Sequence, residues 1–251
     1  MTKARYRAFS SFRNDFRKQC ARWSDEAGGV DGWLADDIRE VVGRDPAGDY
    51  PIENPITYNE ALDDIDESSE IRLIVVGDNP GKREQLDRNR RYLVGQAGKL
   101  GEGFFRNHPE LSVDFRENAI ILNKTPIHTA KTRQLADLAS RSGERFLRLF
   151  HETQEWMASA TAGLQRELSC GLWLVGYGEL KGSGLFSAYA ETLRRQYATV
   201  PDEQKANVFV YQHFSMNRFS IDLRERSVPE LALSENLRII GHAHRREVLG
   251  W

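Results

Sequence analysis

Three short stretches carry side chains that could do chemistry: Gly77-Asp78-Asn79-Pro80-Gly81, Asn123-Lys124, and His213-Phe214-Ser215-Met216-Asn217-Arg218. The first two follow directly on apolar runs, and the third follows one after Gln212. In the first, the glycines permit tight turning and proline fixes its own φ, so Asn79 is presented rigidly beyond the run. Taken alone, this pattern equally describes an ordinary strand-to-helix turn. The carboxamide of Asn123 offers a donor and an acceptor side by side. It could pair with the O4 acceptor and N3–H donor of uracil while mismatching the edge of cytosine, or simply cap a turn. His213 stands at the end of its run as a candidate proton donor, or as a satisfied structural histidine. Between the first two stretches lies Arg91-Tyr92-Leu93-Val94-Gly95-Gln96-Ala97-Gly98-Lys99-Leu100. This glycine-rich opening to a helix suits close approach of backbone amides to a base or phosphate.

The elements that must position these residues are visible as hydrophobic pattern. Short β-branched runs at Ile71–Val76, Ala119–Leu122, Leu172–Val175 and Val208–Tyr211, and more weakly at Leu237–Ile240, read as buried strands. Helical periodicity is clearest from Glu144 to Leu168, where Phe146, Leu149, Phe150, Met157, Ala160 and Leu164 recur at steps of three and four. The alternation implies an α/β fold of three layers, α/β/α, around a mainly parallel four-stranded sheet. In such sheets ligands bind in the crevice beyond the carboxyl ends of the strands. Residues 1–70 read as a largely helical N-terminal extension of a single domain spanning 1–251. It opens with Phe9, Phe12 and Phe16 on one helix face, read as core packing, and passes through Gly28-Gly29, Asp45-Pro46 and Asn54-Pro55.

Composition narrows the classes. An apolar share of 40% with 29% charged residues is ordinary for a soluble chain, and no run approaches the roughly 20 residues that cross a bilayer. The basic start Met1-Thr2-Lys3-Ala4-Arg5-Tyr6-Arg7 lacks the apolar core of a secretory signal, so a cytoplasmic monomer is expected. Cys20 and Cys170 lie too far apart in pattern for a thiolate metal cage and read as buried small residues. His242 and His244, two apart, cannot share a helix face, so no metal site is expected. A net charge of −2 gives no global sign of nucleic-acid binding. Charge is uneven, however: Asp63, Asp64, Asp66, Glu67 and Glu70 are followed by Lys82, Arg83, Arg88, Arg90, Arg91, Lys99 and Arg106, either a basic face or a solvated run.

Order and strand position together resemble one family. Gly77-Asp78-Asn79-Pro80-Gly81 resembles the first motif of the uracil-DNA glycosylase superfamily. Val94-Gly95-Gln96-Ala97-Gly98 resembles the segment that follows it in the thermophile-type branch, and Leu122-Asn123 the base-reading strand end. His213-Phe214-Ser215 is similar to the His-Pro-Ser second motif, and Gly176 to the small residue ending the third strand. The resemblance covers residues 71–224. It implies a DNA glycosylase of base excision repair acting on uracil or a related deaminated base in DNA, without a cofactor. Asn79 would hold the water, with Asp78 beside it. His213 would donate to uracil O2, Asn123 would read the O4/N3 edge, and Gly77, Pro80, Gly81, Tyr92, Leu93 and Phe105 would line the base site. Ser215, Met216, Asn217, Arg218 and Lys124 would grip DNA and fill the gap left by a flipped base.

The chain departs from the family at several points. Asn79 stands where many members have Asp, as in the mismatch-specific and single-strand-selective branches, and Asn cannot act as a base. Gly81 replaces a tyrosine that excludes the thymine methyl, which implies broader base tolerance. Tyr92-Leu93 stands for Pro-Phe, leaving Tyr92, Phe104 or Phe105 to supply a stacking ring, and Phe214 replaces the motif proline. Two cysteines cannot hold the four-cysteine iron–sulfur cluster of the thermophile-type branch. Two other readings follow: a binding protein of this fold with little or no turnover, and a nucleotide or phosphosugar enzyme using the Gly77 loop for phosphate.

Overall fold

The computed structural model describes residues 1–44 and 50–251, so Asp45-Pro46 lies outside the described residues. Two helices, α1 (Lys3–Ala27) and α2 (Trp33–Gly43), precede β1 (Leu73–Gly77). Then come α3 (Gln96–Asn107), β2 (Ala119–Asn123), α4 (Gln134–Leu168), β3 (Gly171–Val175), and α5 (Tyr177–Leu180). The chain continues through α6 (Ser187–Tyr197), α7 (Asp202–Lys205), β4 (Val208–Tyr211), α8 (Arg218–Arg226) and α9 (Leu233–Leu249). All four strands are parallel, in the order β2-β1-β3-β4. This is the three-layer α/β/α fold expected from the pattern. The strands read as unbroken apolar runs because helices cover both faces, leaving no solvent side to alternate with.

The register sets where chemistry can sit. Gly77 pairs with Asn123, Val76 with Leu174 and Val175 with Tyr211, so the four carboxyl ends lie level. The residues just beyond them, Asp78, Lys124, Gly176 and Gln212-His213, are thereby brought to one edge of the sheet. Leu237–Ile240 is not a strand but part of α9, where Leu237, Ile240, His244 and Val248 are buried at helical steps while Ile239 is exposed. A four-residue apolar run carries too little periodicity to separate the two states. Within α4 the helix breaks at Gly143 (φ 56°, ψ −139°) and restarts at Glu144, which is where the sequence periodicity begins.

Phe9, Phe12 and Phe16 of α1 are core residues as expected, with Phe16 stacked 5.7 Å from Trp156 of α4. One hydrophobic cluster runs from Phe9 to Leu249, so α1 and α2 pack into the same core as the sheet. Among the described residues no helix is long and apolar enough to cross a membrane.

Candidate active site

A cavity of about 800 Å³ opens at the carboxyl ends of the strands. Its lining includes Asp78, Asn79, Gly81, Leu93 and His213, together with Ser215, Met216 and Arg218 at the rim. Beneath it lies a buried ion pair. Lys124, wholly buried, donates to Asp78 Oδ1 (2.5 Å), to the Gly77 carbonyl (3.2 Å) and to the Val175 carbonyl (2.5 Å), with Phe186 4.9 Å from its ammonium. Burial pushes the Lys124 ammonium below the ordinary lysine range, opposed by the Asp78 carboxylate. One cation therefore ties the ends of β1, β2 and β3 together. Gly176 (φ 98°) makes this possible, since a Cβ there would stand 2.3 Å from Asp78 Oδ1. Expected to grip DNA, Lys124 is instead enclosed: its long side chain runs inward because three oxygen acceptors converge there.

Asn79 has one end of its carboxamide fully engaged. Nδ2 donates to Thr129 Oγ1 (2.9 Å) and faces the carbonyls of Pro80, Ile127 and Thr129. Only acceptors surround that end, so the amide orientation is fixed and Oδ1 is left as a free acceptor. His213 is oriented just as definitely. Its Nδ1 accepts from the Ser215 backbone N–H at 3.1 Å and lies 2.7 Å from Ser215 Oγ. Accepting at Nδ1 places the ring proton on Nε2. Burial lowers the His213 pKa, so the ring is neutral near pH 7. The cavity thus holds a neutral imidazole with an outward N–H and an amide oxygen able to hold water.

Asn123 is buried, and neither end of its amide finds a protein partner. It lies against Gly77, where a Cβ would sit 2.5 Å from Asn123 Oδ1 and 3.7 Å from a Leu93 methyl. Asn123 does not itself line the cavity, whereas Leu93 does. Leu93 holds a left-handed backbone (φ 52°), a strained state kept by its surroundings. Arg116 donates to its carbonyl at 2.7 Å, and Gly98 of α3 packs where any Cβ would overlap that oxygen at 1.4 Å.

Other expected base-site residues do not reach the cavity. Tyr92 is buried with its hydroxyl on the Thr57 carbonyl (2.5 Å), and Phe105 packs on Phe115 and Trp173. Phe104 packs against Phe219. Phe104 and Phe105 sit in the core because the buried face of α3 packs on Trp173 of β3. Gly77 and Pro80 shape the loop from behind, and Asn217 lies outside the lining. Met216 is 79% exposed, and Met216 and Asn217 take successive left-handed conformations (φ 53° and 55°) at the rim.

Three contributors escaped the sequence reading. His128, fully buried, meets the Pro80 carbonyl through Nδ1 (2.8 Å) and the Tyr50 hydroxyl through Nε2 (2.9 Å). Gln85 accepts from the backbone N–H groups of Glu53 and Asn54, tying the first motif to the N-terminal extension. Glu84 is buried at 5% exposure yet lines the cavity, and burial raises its carboxyl to about 7. The only signal for Glu84 was its place three residues after Gly81, within a charged run. No known family model, curated protein or solved structure matches this chain.

Proposed function

We propose that the protein is a monofunctional DNA glycosylase that hydrolyses the N-glycosidic bond of uracil or a related deaminated base in DNA. The observation that carries this reading is the fixed tautomer of His213, a neutral imidazole whose Nε2–H is left for the cavity that Asn79 also lines. Breaking the bond leaves positive charge on the sugar and negative charge on the departing base, so a site gains most by stabilising the anion and holding a water at the sugar. His213 Nε2–H donates to the base O2 as charge develops there. Asn79 Oδ1 holds the water that adds to the sugar carbon. The water's oxygen forms the new bond, its proton leaves to solvent, and the base departs with the bonding electrons. Exposed Met216 and the cationic Arg218 at the rim suit the gap and the backbone of a strand whose nucleotide has been extruded.

A second reading, a binding protein of this fold with little turnover, draws support from Asn123, whose amide does not line the cavity. The test is alkali-revealed cleavage of a uracil-containing oligonucleotide. His213→Ala and Asn79→Ala are each expected to lower the rate about a hundred-fold or more. Retained DNA binding with no cleavage at uracil, hypoxanthine or xanthine would favour the second reading. Failure to bind DNA at low salt would overturn both.

A further inference from the structure

His128 joins two distant parts of the chain, and simple chemistry decides which partner donates. Its ring is wholly buried, with the Pro80 carbonyl 2.8 Å from Nδ1 and the Tyr50 hydroxyl 2.9 Å from Nε2. A carbonyl can only accept, so the ring proton is on Nδ1. Burial lowers the pKa to about 4 and keeps the ring neutral, so Nε2 carries a lone pair and the Tyr50 hydroxyl donates to it. A chain of hydrogen bonds with one direction thus runs from Tyr50, ahead of β1, through His128 to Pro80 in the loop after β1.

That chain pins a soft torsion of the first motif. The proline ring locks φ of Pro80 but leaves ψ free, and ψ sets where the carbonyl points. Gly81 after it adds no restraint. The same carbonyl receives Asn79 Nδ2 (3.2 Å) and the Thr129 N–H (3.3 Å), both at longer range than His128. Its direction therefore bears on which way the Asn79 carboxamide faces. The segment that follows Tyr50 is itself fastened to both loops: Gln85 Nε2 donates to the Pro51 carbonyl (2.8 Å) and the His128 backbone N–H to that of Pro55 (2.9 Å). We propose that His128 is a positioning residue that aims the Asn79 amide through the Pro80 carbonyl, with Tyr50 holding the far edge of its ring. What the aimed amide does rests on the glycosylase reading, whereas the aiming itself does not.

Two substitutions separate the ends of the ring. An asparagine amide reaches about where Nδ1 lies and can donate to Pro80, while a glutamine amide reaches about where Nε2 lies and meets only Tyr50. His128→Asn is expected to excise uracil within about three-fold of wild type, and His128→Gln to lose about ten-fold or more in kcat with KM little changed, as a misplaced group does. A second readout needs no turnover. In 1H–15N spectra of the full chain the Asn79 side-chain NH2, assigned by its absence in Asn79→Asp, should exchange with solvent about ten-fold faster in His128→Gln than in wild type or His128→Asn, since opening of its surroundings governs that rate. Tyr50→Phe leaves the Pro80 bond in place but frees the ring's far edge, so an intermediate rate is expected, and this variant carries the test if His128→Gln does not fold. Exchange that is the same in every variant, or equal kcat in the Asn and Gln proteins, overturns the role of His128 and leaves the glycosylase reading standing. No excision by the wild type removes that reading alone, and the exchange rates still decide for or against His128.

Discussion

His213 and His128 show one side chain put to opposite uses within a single site. His213 stands just beyond a strand end with Nδ1 occupied and Nε2 left for the cavity, a placement readable from sequence because the apolar run ends at Tyr211, two residues before it. His128 was not readable: its burial arises from loops of distant sequence, Tyr50 and Pro80, closing on it from two sides. The same applies to Glu84, which in Lys82-Arg83-Glu84 looks like part of a solvated charged run. Burial lowers the His128 pKa from 6.5 to about 4. A depressed folded pKa means stability that is present above 6.5 and lost as pH falls toward 4, in all about 3 kcal/mol. Glu84, raised to about 7, acts in the opposite sense, its contribution being full below 4.5 and lost as pH rises through 7. The difference between wild type and His128→Gln isolates the first effect. Urea midpoints taken from pH 7 down to 4.5 should fall more steeply for wild type, and parallel curves would refute the assignment.

Elements were legible where burial simplified the pattern. Four strands covered on both faces had to be continuous apolar runs, and Phe146 to Leu168 had to repeat at helical steps. Leu237–Ile240 failed because four residues of α9 contain one turn and no period. What no run could show is how the strand ends are held. Three carbonyl and carboxylate oxygens, from Gly77, Asp78 and Val175, meet on Lys124 Nζ, and the residue type alone pointed outward. Removing one partner of a buried pair strands the other charge, which costs roughly 3–5 kcal/mol. Lys124→Ala should therefore lower the unfolding free energy by about that amount, whereas Lys124→Met with Asp78→Asn, which removes both charges, should recover part of it. Denaturant unfolding of the three proteins measures this. A Lys124→Ala loss below about 1 kcal/mol would mean that the strand ends do not depend on the pair.

Across the whole molecule, a net charge of −2 leaves no long-range field to draw in a polyanion, so attraction must be local. The cations that cluster in sequence divide in space. Arg90 pairs with Glu60 and Arg91 with Asp64, which ties both cations to nearby carboxylates. Arg83, Arg133 and Arg218 instead stand exposed around the cavity mouth and come from three separate loops and helix starts. The basic run in the sequence thus overstated one region and missed Arg133, which only the fold brings to the rim. If these three arginines neutralise phosphates, the logarithm of the DNA association constant should fall with the logarithm of salt at a slope of about −2 to −3, at 0.7 to 0.9 per contact. Replacing Arg133 or Arg218 by alanine should lower that slope by about one each and weaken binding alike for uracil-containing and undamaged strands, because phosphate contacts carry no base information. Arg106, in the last turn of α3 at the opposite end from the N-terminal turn that borders the cavity, serves as the control. Fluorescence anisotropy between 25 and 200 mM salt reads the slopes. If Arg106→Ala changes the slope as much as Arg133→Ala and Arg218→Ala do, the cavity rim is not where the strand lies.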